Sequence, residues 1–445
     1  IGALFKVPLS WVITEDGMGY FNTAYNFYSP IYSLSTAGFP IAIARMVSEN
    51  YTRKRFRDIR QIHKVSIPIF VITGILGFLL MAVGAPFYVY AIGNTNALPA
   101  MYCLAPAILF SCLTAIYRGY YEGLRNMYPT AVSEIIEAAC KLALGLSAAY
   151  WIMKSAVEEF YRTGTVYGFV VRSETYAKSL ALPYAAAGAI AGVTVGSLLG
   201  YLFLFIRHKR RGDGITQQEL ASSPRPQSVS KTVKYLIKTA VPIGAGALAV
   251  NIAGFVDATF LQTRLRYVMQ NNAQVILEMY QGMIPEINLQ ENTVPNFLFG
   301  CFSLALTLFM VVPSITQAFG ISALPNVTAA WTRGVKQEIK RSMEMVIRIT
   351  AIFSIPAGMG MAALAQPITH LIFGNRDSSP ITARILFLMG IGAIFASLST
   401  PVNSMLQAVG RTDLPVKLLA VGLIIKITLN YFLVGVPEIN VLGAG

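Results

Sequence analysis

Apolar runs of roughly 20 residues recur along this 445-residue chain, and they limit its fold more than any other feature. Runs of that length match the hydrocarbon core of a bilayer, which is about 30 Å thick. Hydrophobic residues make up 55% of the chain and charged residues only 13%, so apolar segments dominate it. A membrane β-barrel would instead show segments of about 10 alternating residues, which the sequence lacks. We therefore predict an all-α polytopic membrane protein.

The placement of the basic residues predicts which loops face the cytoplasm. The formal net charge is +14, which could also indicate a nucleic-acid partner. However, 23 of the 35 lysines and arginines fall in alternate loops, namely 49–64, 118–128, 207–238, 332–348 and 409–417. This is the positive-inside bias of cytoplasmic loops. Nucleic acid is therefore not expected as a partner. The segments 14–17, 153–178 and 264–295 are predicted to lie on the outer side of the membrane.

The apolar runs predict ten complete spans after a partial first one. The opening residues, IGALFKVPL, are predicted to be the outer half of a helix whose beginning is missing. The closing residues, NVLGAG, are predicted to enter a further helix. The complete spans are expected at about 20–48, 65–92, 98–122, 127–152, 180–207, 236–263, 295–330, 342–372, 381–408 and 413–435.

A segment rich in Ser, Pro, Gln and charge, 208–233, is predicted to be a cytoplasmic linker. It would separate an N-terminal lobe, 1–207, from an incomplete C-terminal lobe, 234–445. Short motifs recur in the same order in both lobes. At an offset of 281, Pro86, Gly93 and Asn94 match Pro367, Gly374 and Asn375, and at an offset of 286, Arg125 and Pro129 match Arg411 and Pro415. Six spans per lobe would give both lobes the same orientation, which is a parallel repeat.

Glycine lines one face of the predicted span 180–207. Gly188, Gly192, Gly196 and Gly200 repeat every four residues. Small residues at this spacing let helix backbones approach closely, so the stripe predicts tight helix packing within a lobe. A moving gate surface is the alternative interpretation.

Ionisable side chains inside predicted spans are candidates for a functional site, because charge at bilayer depth is costly. Glu134, Glu137 and Lys141 share one helix face, and Glu137 and Lys141 have the favourable i,i+4 spacing. Lys141 and Lys426 lie 12 and 11 residues beyond the matching prolines, so each is about 17 Å into the membrane. These repeat-related midplane positions favour a substrate site. The alternative is an internal ion pair that only fixes helix rotation.

Other charged residues have weaker or different interpretations. Arg118 and Glu122 are predicted to form an interfacial pair at the cytoplasmic end of a helix, and Arg45 is interpreted in the same way. Lys6 lies nearer the middle of a span and is a stronger candidate for lining a pathway. Asp257 is deep in 236–263 and requires a partner or a shifted pKa.

Several kinds of chemistry have no motif in the sequence. The chain has no Gly-Lys dipeptide and hence no Walker A loop, and it has no GxSxG or HExxH motif. The four cysteines lie in apolar segments without CxxC spacing and are predicted to be small core residues. We therefore expect neither an enzyme nor a bound cofactor or metal.

The repeat, together with RGYYEGLRNMYPTAVSEIIE at 118–137 and GRTDLPVKLLAVGLIIKITLNYFL at 410–433, resembles one known family. This is the polysaccharide-transport branch of the multidrug/oligosaccharidyl-lipid/polysaccharide exporter superfamily. Within this branch the chain resembles the stage V sporulation protein B group, which is related to the lipid II flippases of the MurJ type, over essentially its whole length. The resemblance implies a multi-pass protein of the bacterial cell membrane, with two six-helix lobes around a central cavity.

The resemblance also implies a function. Such proteins move undecaprenyl-pyrophosphate-linked sugars from the inner to the outer leaflet by alternating access, without ATP. A pyrophosphate needs cations, which Lys6, Lys141 and Lys426 could supply. Some MurJ-type relatives are thought to bind Na⁺ where this chain has Asp257, Lys426 and Asn430. Because an ammonium group stands in place of a metal ligand, Lys426 is predicted to act as a tethered cation that reaches outward to Asp257, which puts Na⁺ coupling in doubt.

The resulting hypothesis is a flippase for a peptidoglycan precursor or a related oligosaccharide lipid. One alternative is a cation-coupled multidrug antiporter, with Glu134, Glu137 or Asp257 as the proton-coupling carboxylate. Another is a membrane scaffold for a cell-wall synthesis complex. The expected partners are a lipid-linked sugar pyrophosphate, the bilayer and proteins of cell-wall synthesis.

Overall fold

The computed structural model describes residues 2–36, 38–290, 292–334, 336–409, 411 and 413–445. They are almost entirely helical, with one two-stranded hairpin, and the predicted all-α membrane fold is confirmed. Seven of the described helical segments are long and apolar enough to cross a membrane. The elements are α1 Gly2–Thr36, α2 Phe39–Thr52, α3 Phe56–Ile92, α4 Leu98–Gly123, α5 Tyr128–Cys140, a π-helical turn Lys141–Gly145, α6 Leu146–Thr163, β1 Thr165–Val166, β2 Phe169–Val170, α7 Glu174–Arg211, α8 Gln217–Ser222, α9 Val229–Asn271, α10 Ala273–Met279, α11 Glu286–Gln290, α12 Val294–Phe309, α13 Val311–Arg333, α14 Lys336–Ala363, α15 Ala365–Phe373, α16 Ser379–Ala408 and α17 Asp413–Leu433.

The beginning of the chain differs from the prediction. The partial first span and the predicted span 20–48 share one long helix, α1, which is kinked at Thr14 (φ 52°, ψ −165°). A second break precedes α2, where Gly38 adopts a left-handed conformation (φ 72°). The predicted external turn 14–17 is therefore a kink within α1. Its acidic residues, Glu15 and Asp16, are buried because other side chains pair with them.

The linker predicted at 208–233 is docked on the start of α3. Its first residues extend α7, its middle forms α8, and its last residues begin α9. Arg57 Nε donates a hydrogen bond to the Leu220 carbonyl at 2.9 Å, and Gln61 Nε2 donates one to the Gln227 carbonyl at 2.8 Å. The basic segment 49–64 is itself mostly helical. Side chains of α3 thus donate hydrogen bonds to linker carbonyl groups, which would otherwise bond to water.

Asp213 fixes the part of the linker that follows α7. Its carboxylate accepts hydrogen bonds from Arg60 at 3.0 Å and from the Tyr120 hydroxyl at 2.9 Å. Burial acts to raise the pKa of Asp213, but the bonds from Arg60, the Ile215 amide and Tyr120 outweigh burial and lower it. This contribution to stability is therefore present above the usual carboxyl pKa and is lost as the pH falls through the lowered value.

Contacts divide the chain into two compact units. One contains residues 1–19 with 256–445, and the other contains residues 20–255. The unit limits fall inside the long helices α1 and α9, whereas the predicted lobes, 1–207 and 234–445, were divided at the linker. The difference has a physical cause, because one long helix can pack its two ends against different neighbours. The lobe limits remain a prediction about the repeat.

The repeat prediction gains local support from two helix ends. Gly93 follows α3 and Gly374 follows α15, and both have a positive φ, 72° and 88°. Glycine adopts such angles without the steric cost that a Cβ would impose. Two of the matched residues therefore occupy the same structural position, directly after the end of a helix.

The glycine stripe of α7 packs against the segment 128–163, which confirms the helix-packing interpretation. A Cβ added to Gly192 would collide with the backbone of Gly145. A Cβ on Gly196 would lie 3.0 Å from the carbonyl oxygen of Glu137, and one on Gly200 would lie 2.8 Å from Glu137 Oε1. The stripe therefore brings α7 directly against the helix that carries the predicted midplane charges.

Candidate functional site

Within the unit formed by 1–19 and 256–445, α9 and α17 bring three predicted residues together. Lys426 Nζ lies 2.8 Å from Asp257 Oδ2, and Asn430 Nδ2 donates a short hydrogen bond to Asp257 Oδ1. The spacing of Lys426 and Asn430 is i,i+4, so both project from the same face of α17. The Asp257 carboxylate thus has a different donor on each oxygen.

Burial differs between the members of this cluster, hereafter the Asp257 cluster. The side chain of Asp257 is 16% exposed, whereas that of Lys426 is 51% exposed, and Asn430 is buried. The lysine reaches Asp257 as the tethered-cation hypothesis requires. A buried carboxylate is costly unless it is paired and hydrogen-bonded, and this arrangement supplies both. Half of the lysine surface remains accessible to a ligand.

Within the unit 20–255, Lys141 begins the π-helical turn between α5 and α6. Its ammonium group lies 5.4 Å from the centroid of the Tyr25 ring on α1. Single π turns inside α-helices often occur at functional sites, because they shift the register of the side chains that follow. The turn also contains Gly145, against which Gly192 packs. Tight packing thus fixes the backbone that carries Lys141.

The carboxylate of Glu137 has a different partner from the one predicted. Arg118, on α4, lies 2.9 Å from Glu137 Oε1, and its Nε donates a hydrogen bond to Ser133 Oγ at 3.0 Å. Glu137 is therefore paired with Arg118 and not with Lys141. The charge of Arg118 also acts on Glu122, the partner predicted for it. An arginine from the neighbouring helix reaches two α5 side chains at once, which spacing along a single helix cannot reveal.

Aromatic rings on α1 extend the surroundings of Lys141. Tyr25 stands 4.8 Å from Phe21 and 5.9 Å from Tyr28, and Tyr28 is stacked on Tyr32 at 5.5 Å between centroids. These four residues recur at i, i+4, i+7 and i+11, which is one face of a helix. The face forms a continuous aromatic wall, which the sequence interpretation missed.

The remaining predicted residues lie in varied surroundings. Arg45 is exposed on α2 and forms an ion pair with Glu49 at 3.1 Å, in agreement with its interfacial interpretation. Glu134 is exposed on α5, one turn before Glu137. Lys6 is half-buried on α1, in the same compact unit as the Asp257 cluster. Their roles in a transport pathway remain predictions.

A second buried acidic site was missed by the sequence interpretation. Glu15 Oε1 accepts hydrogen bonds from Arg376 at 3.1 Å and from Ser378 at 2.7 Å. Asp16 accepts hydrogen bonds from Asn288 at 2.7 Å and from Asn296 at 3.1 Å. These two adjacent acids were assigned to an external turn, although their position between two apolar stretches was an available sequence signal.

Possible metal ligands do not gather in the described part of the chain. There, no cluster of three or more His, Cys, Asp or Glu side chains could hold a metal ion. All four cysteines, Cys103, Cys112, Cys140 and Cys301, are free thiols. The chemistry available within the described spans is therefore that of ion pairs, amides and aromatic faces.

Known proteins similar to this chain agree with the fold. The family model described as polysaccharide biosynthesis protein matches residues 1–325, and the MatE model matches residues 299–432. Lipid II flippase MurJ of Bacillus subtilis is 23% identical over 441 residues, which cover 97% of this chain and 73% of that protein. Stage V sporulation protein B of the same organism is 20% identical over 448 residues, covering 100% and 76%.

Two solved structures share the architecture. An inward-facing multidrug resistance MATE family transporter of the MOP superfamily matches with a TM-score of 0.70 at 11% identity, covering 100% of this chain and 89% of that one. Lipid II flippase MurJ in an inward closed conformation matches with a TM-score of 0.58 at 12% identity, covering 99% and 83%. At these identities the likeness shows the fold. With a family model that matches most of its length, this multi-pass bacterial membrane chain belongs to the polysaccharide biosynthesis protein family, and it shares its fold with a transporter of the MOP superfamily.

Proposed function

We propose that this protein is a flippase for an undecaprenyl-pyrophosphate-linked sugar, lipid II or a related oligosaccharide lipid. It moves this cargo from the inner to the outer leaflet by alternating access. The proposal is supported by the family and by the relatives named as lipid II flippase and stage V sporulation protein. Proteins of cell-wall synthesis are the expected partners.

The observation that carries the proposal is the pairing of the deep carboxylates. Glu137 is paired with Arg118, and Asp257 is paired with Lys426. A carboxylate that couples drug export to protons must be able to release its partner and bind a proton, which a strong pair with a lysine or arginine opposes. An anionic cargo instead requires exposed positive charge. The half-exposed Lys426 can supply this positive charge. The paired carboxylates, in contrast, are poorly suited to bind a cationic drug.

Lys141 and Lys426 have distinct roles in this proposal. The contact of Lys141 with Tyr25 is a cation–π interaction, worth about 0.5–2 kcal/mol, so a pyrophosphate can replace or share it. Lys426 keeps its ion pair with Asp257 and presents the exposed part of its side chain to the pyrophosphate. The ammonium group then balances charge inside the protein, as a mobile coupling ion would.

Transport by reconstituted protein tests this function. Full-length chain in proteoliposomes is supplied with fluorescent lipid II, and the fraction accessible to an external quencher is followed over time. We expect accessibility to rise faster than in protein-free vesicles, with no dependence on a Na⁺ gradient. The antiporter alternative predicts no effect on lipid II, together with proton release when a cationic drug is added. The scaffold alternative predicts neither response.

A further inference from the structure

A groove on the cytoplasmic side of the unit 20–255 lies apart from the predicted midplane residues. It has a volume of about 460 Å³ and is lined by the end of α2, the start of α3, the last linker residues and the first turns of α9. Met46 and Ile62 form a buried apolar floor. The positive-inside bias places this groove at the cytoplasmic surface of the membrane.

Four cations line the groove, namely Arg53, Lys231, Lys234 and Lys238. The three lysines recur at i, i+3 and i+7 and therefore share one face of α9. All four side chains are exposed, and within the described ranges none of them forms an ion pair. The groove thus presents a concentrated positive charge to any ligand at this surface.

The two carboxylates of the groove do not neutralise these cations, because they have other partners. Glu49 is paired with Arg45 and accepts a hydrogen bond from the Tyr235 hydroxyl at 3.1 Å. Asp58 is paired with Arg55 at 2.8 Å and accepts a hydrogen bond from the Gln227 amide at 2.8 Å. The second of these bonds also ties the linker to α3. The bonds of Glu49 and Asp58 therefore stabilise the walls of the groove, while the lysines remain available to bind an anion.

The beginning of α9 strengthens the positive potential. The first turn of α9 contains no acidic residue, and Lys231 is its third residue. A cation in the first turn of a helix is disfavoured, because the free amide groups already make that end positive. A bound anion would relieve this repulsion and interact with the helix end at the same time.

Apolar surface continues from the groove along the same helix. Ile237, between Lys234 and Lys238, is 44% exposed, and Val241, which follows Lys238 along α9, is 53% exposed. Positive charge followed by exposed apolar surface matches a lipid, which has an anionic head group and hydrocarbon tails. Soluble phosphate would use the lysines but leave the apolar surface uncovered.

We propose that this groove binds the phosphate head group of an anionic lipid in the cytoplasmic leaflet. The lysines of α9 and Arg53 contact the phosphate oxygens, and the lipid tails cover the exposed apolar side chains that follow. The site is separate from the transport pathway, and its occupancy does not depend on which cargo the protein moves. A lipid held there also bridges α2 and α9 beside the docked linker.

Native mass spectrometry of the full chain in detergent tests this site. The protein is titrated in parallel with phosphatidylglycerol, with undecaprenyl pyrophosphate and, as a neutral reference, with phosphatidylcholine. We expect both anionic lipids to bind more tightly than phosphatidylcholine. The variant Lys231→Gln/Lys234→Gln/Lys238→Gln should lose at least about tenfold in affinity for phosphatidylglycerol, because three lysines that attract an anionic head group are removed. Undecaprenyl pyrophosphate should still bind this variant through the proposed transport site at Lys141 and Lys426.

A matched control removes the same charge elsewhere. The variant Lys336→Gln/Lys340→Gln/Arg341→Gln changes exposed residues at the start of α14, a segment that is also predicted to be cytoplasmic. It should retain wild-type lipid affinity. Equal losses in both triple variants, or no loss in the α9 variant, would overturn the proposal. Inorganic pyrophosphate is the fourth ligand, and if it bound as tightly as the anionic lipids, the assignment to a lipid would be wrong. Helical content measured by circular dichroism verifies that both variants are folded.

Discussion

The two lysines that the repeat relates, Lys141 and Lys426, have unlike surroundings. Lys426 is in an ion pair with Asp257, and Asn430 donates to the same carboxylate. Lys141 begins a π turn and lies over the ring of Tyr25. The neighbouring Glu137, which could have matched the role of Asp257, is paired with Arg118 instead.

This difference shows that a repeated position does not preserve a repeated interaction. An ion pair with a largely buried carboxylate holds an ammonium group at a defined place, and its loss leaves an unpaired charge. A cation–π contact such as that of Lys141 with Tyr25 is weaker than such a pair. In our account Lys426 is therefore both structural and functional, whereas the contribution of Lys141 is mainly to binding.

The largest effect on stability is expected for Lys426→Ala. Removing the ammonium group leaves Asp257 without its cation, which should cost about 2 kcal/mol. This is less than the roughly 3–5 kcal/mol of fully buried pairs, because Lys426 is half exposed. Unfolding in mixed micelles measures the loss. The variant Lys426→Ala/Asp257→Ala should recover most of it, and a double variant as unstable as the single one would contradict the pairing.

The Lys426→Ala variant also tests whether Lys426 takes the place of a bound Na⁺ ion, a role that Lys141 does not have in our account. Without the ammonium group, Asp257 and the Asn430 side chain offer oxygen ligands to a small cation, which hard metal ions prefer. We expect Na⁺, but not choline, to raise the melting temperature of this variant and to leave the wild type and Lys141→Ala unchanged. Na⁺ stabilisation of the wild type would show that the lysine does not replace a coupling ion.

A comparable effect is expected for Gly192→Ala, which perturbs the backbone that carries Lys141. The added Cβ would collide with Gly145 in the π turn, and such overpacking typically costs about 1–3 kcal/mol. Gly360→Ala is the matched control, since a Cβ on this α14 residue meets nothing within 4 Å. The control should gain about 0.5–1 kcal/mol from the better helix propensity of alanine. Equal behaviour of the two variants in thermal unfolding would refute the tight packing of α7 on the π turn.

The smallest effect on stability is expected for Lys141→Ala. Loss of a cation–π contact should cost about 1 kcal/mol or less. Tyr25→Leu should lower stability further, because it also removes buried aromatic surface, and Lys154→Ala on the exposed part of α6 should change little. A destabilisation by Lys141→Ala as large as that by Lys426→Ala would show that the two lysines are equivalent after all.

The fold was more predictable than the site. Apolar runs predicted the seven described segments that could cross a bilayer. The glycine period of α7 also predicted its packing correctly, because both patterns are properties of a single helix. The kink at Thr14 and the burial of Glu15 and Asp16 depend on partners from distant segments. The Arg118–Glu137 pair depends on the neighbouring helix α4. The π turn at Lys141 was not predicted, because no sequence pattern indicated it.

Transport by the two lysine variants tests the central claim, which is that Lys141 and Lys426 both hold the pyrophosphate of the cargo. Wild type, Lys141→Ala and Lys426→Ala are reconstituted at equal density after circular dichroism has verified their folding, and the flipping rate of fluorescent lipid II is measured for each. The account predicts that both variants flip at least about tenfold more slowly than wild type, which corresponds to about 1.4 kcal/mol of lost interaction. Folded variants that flip lipid II at the wild-type rate would contradict it.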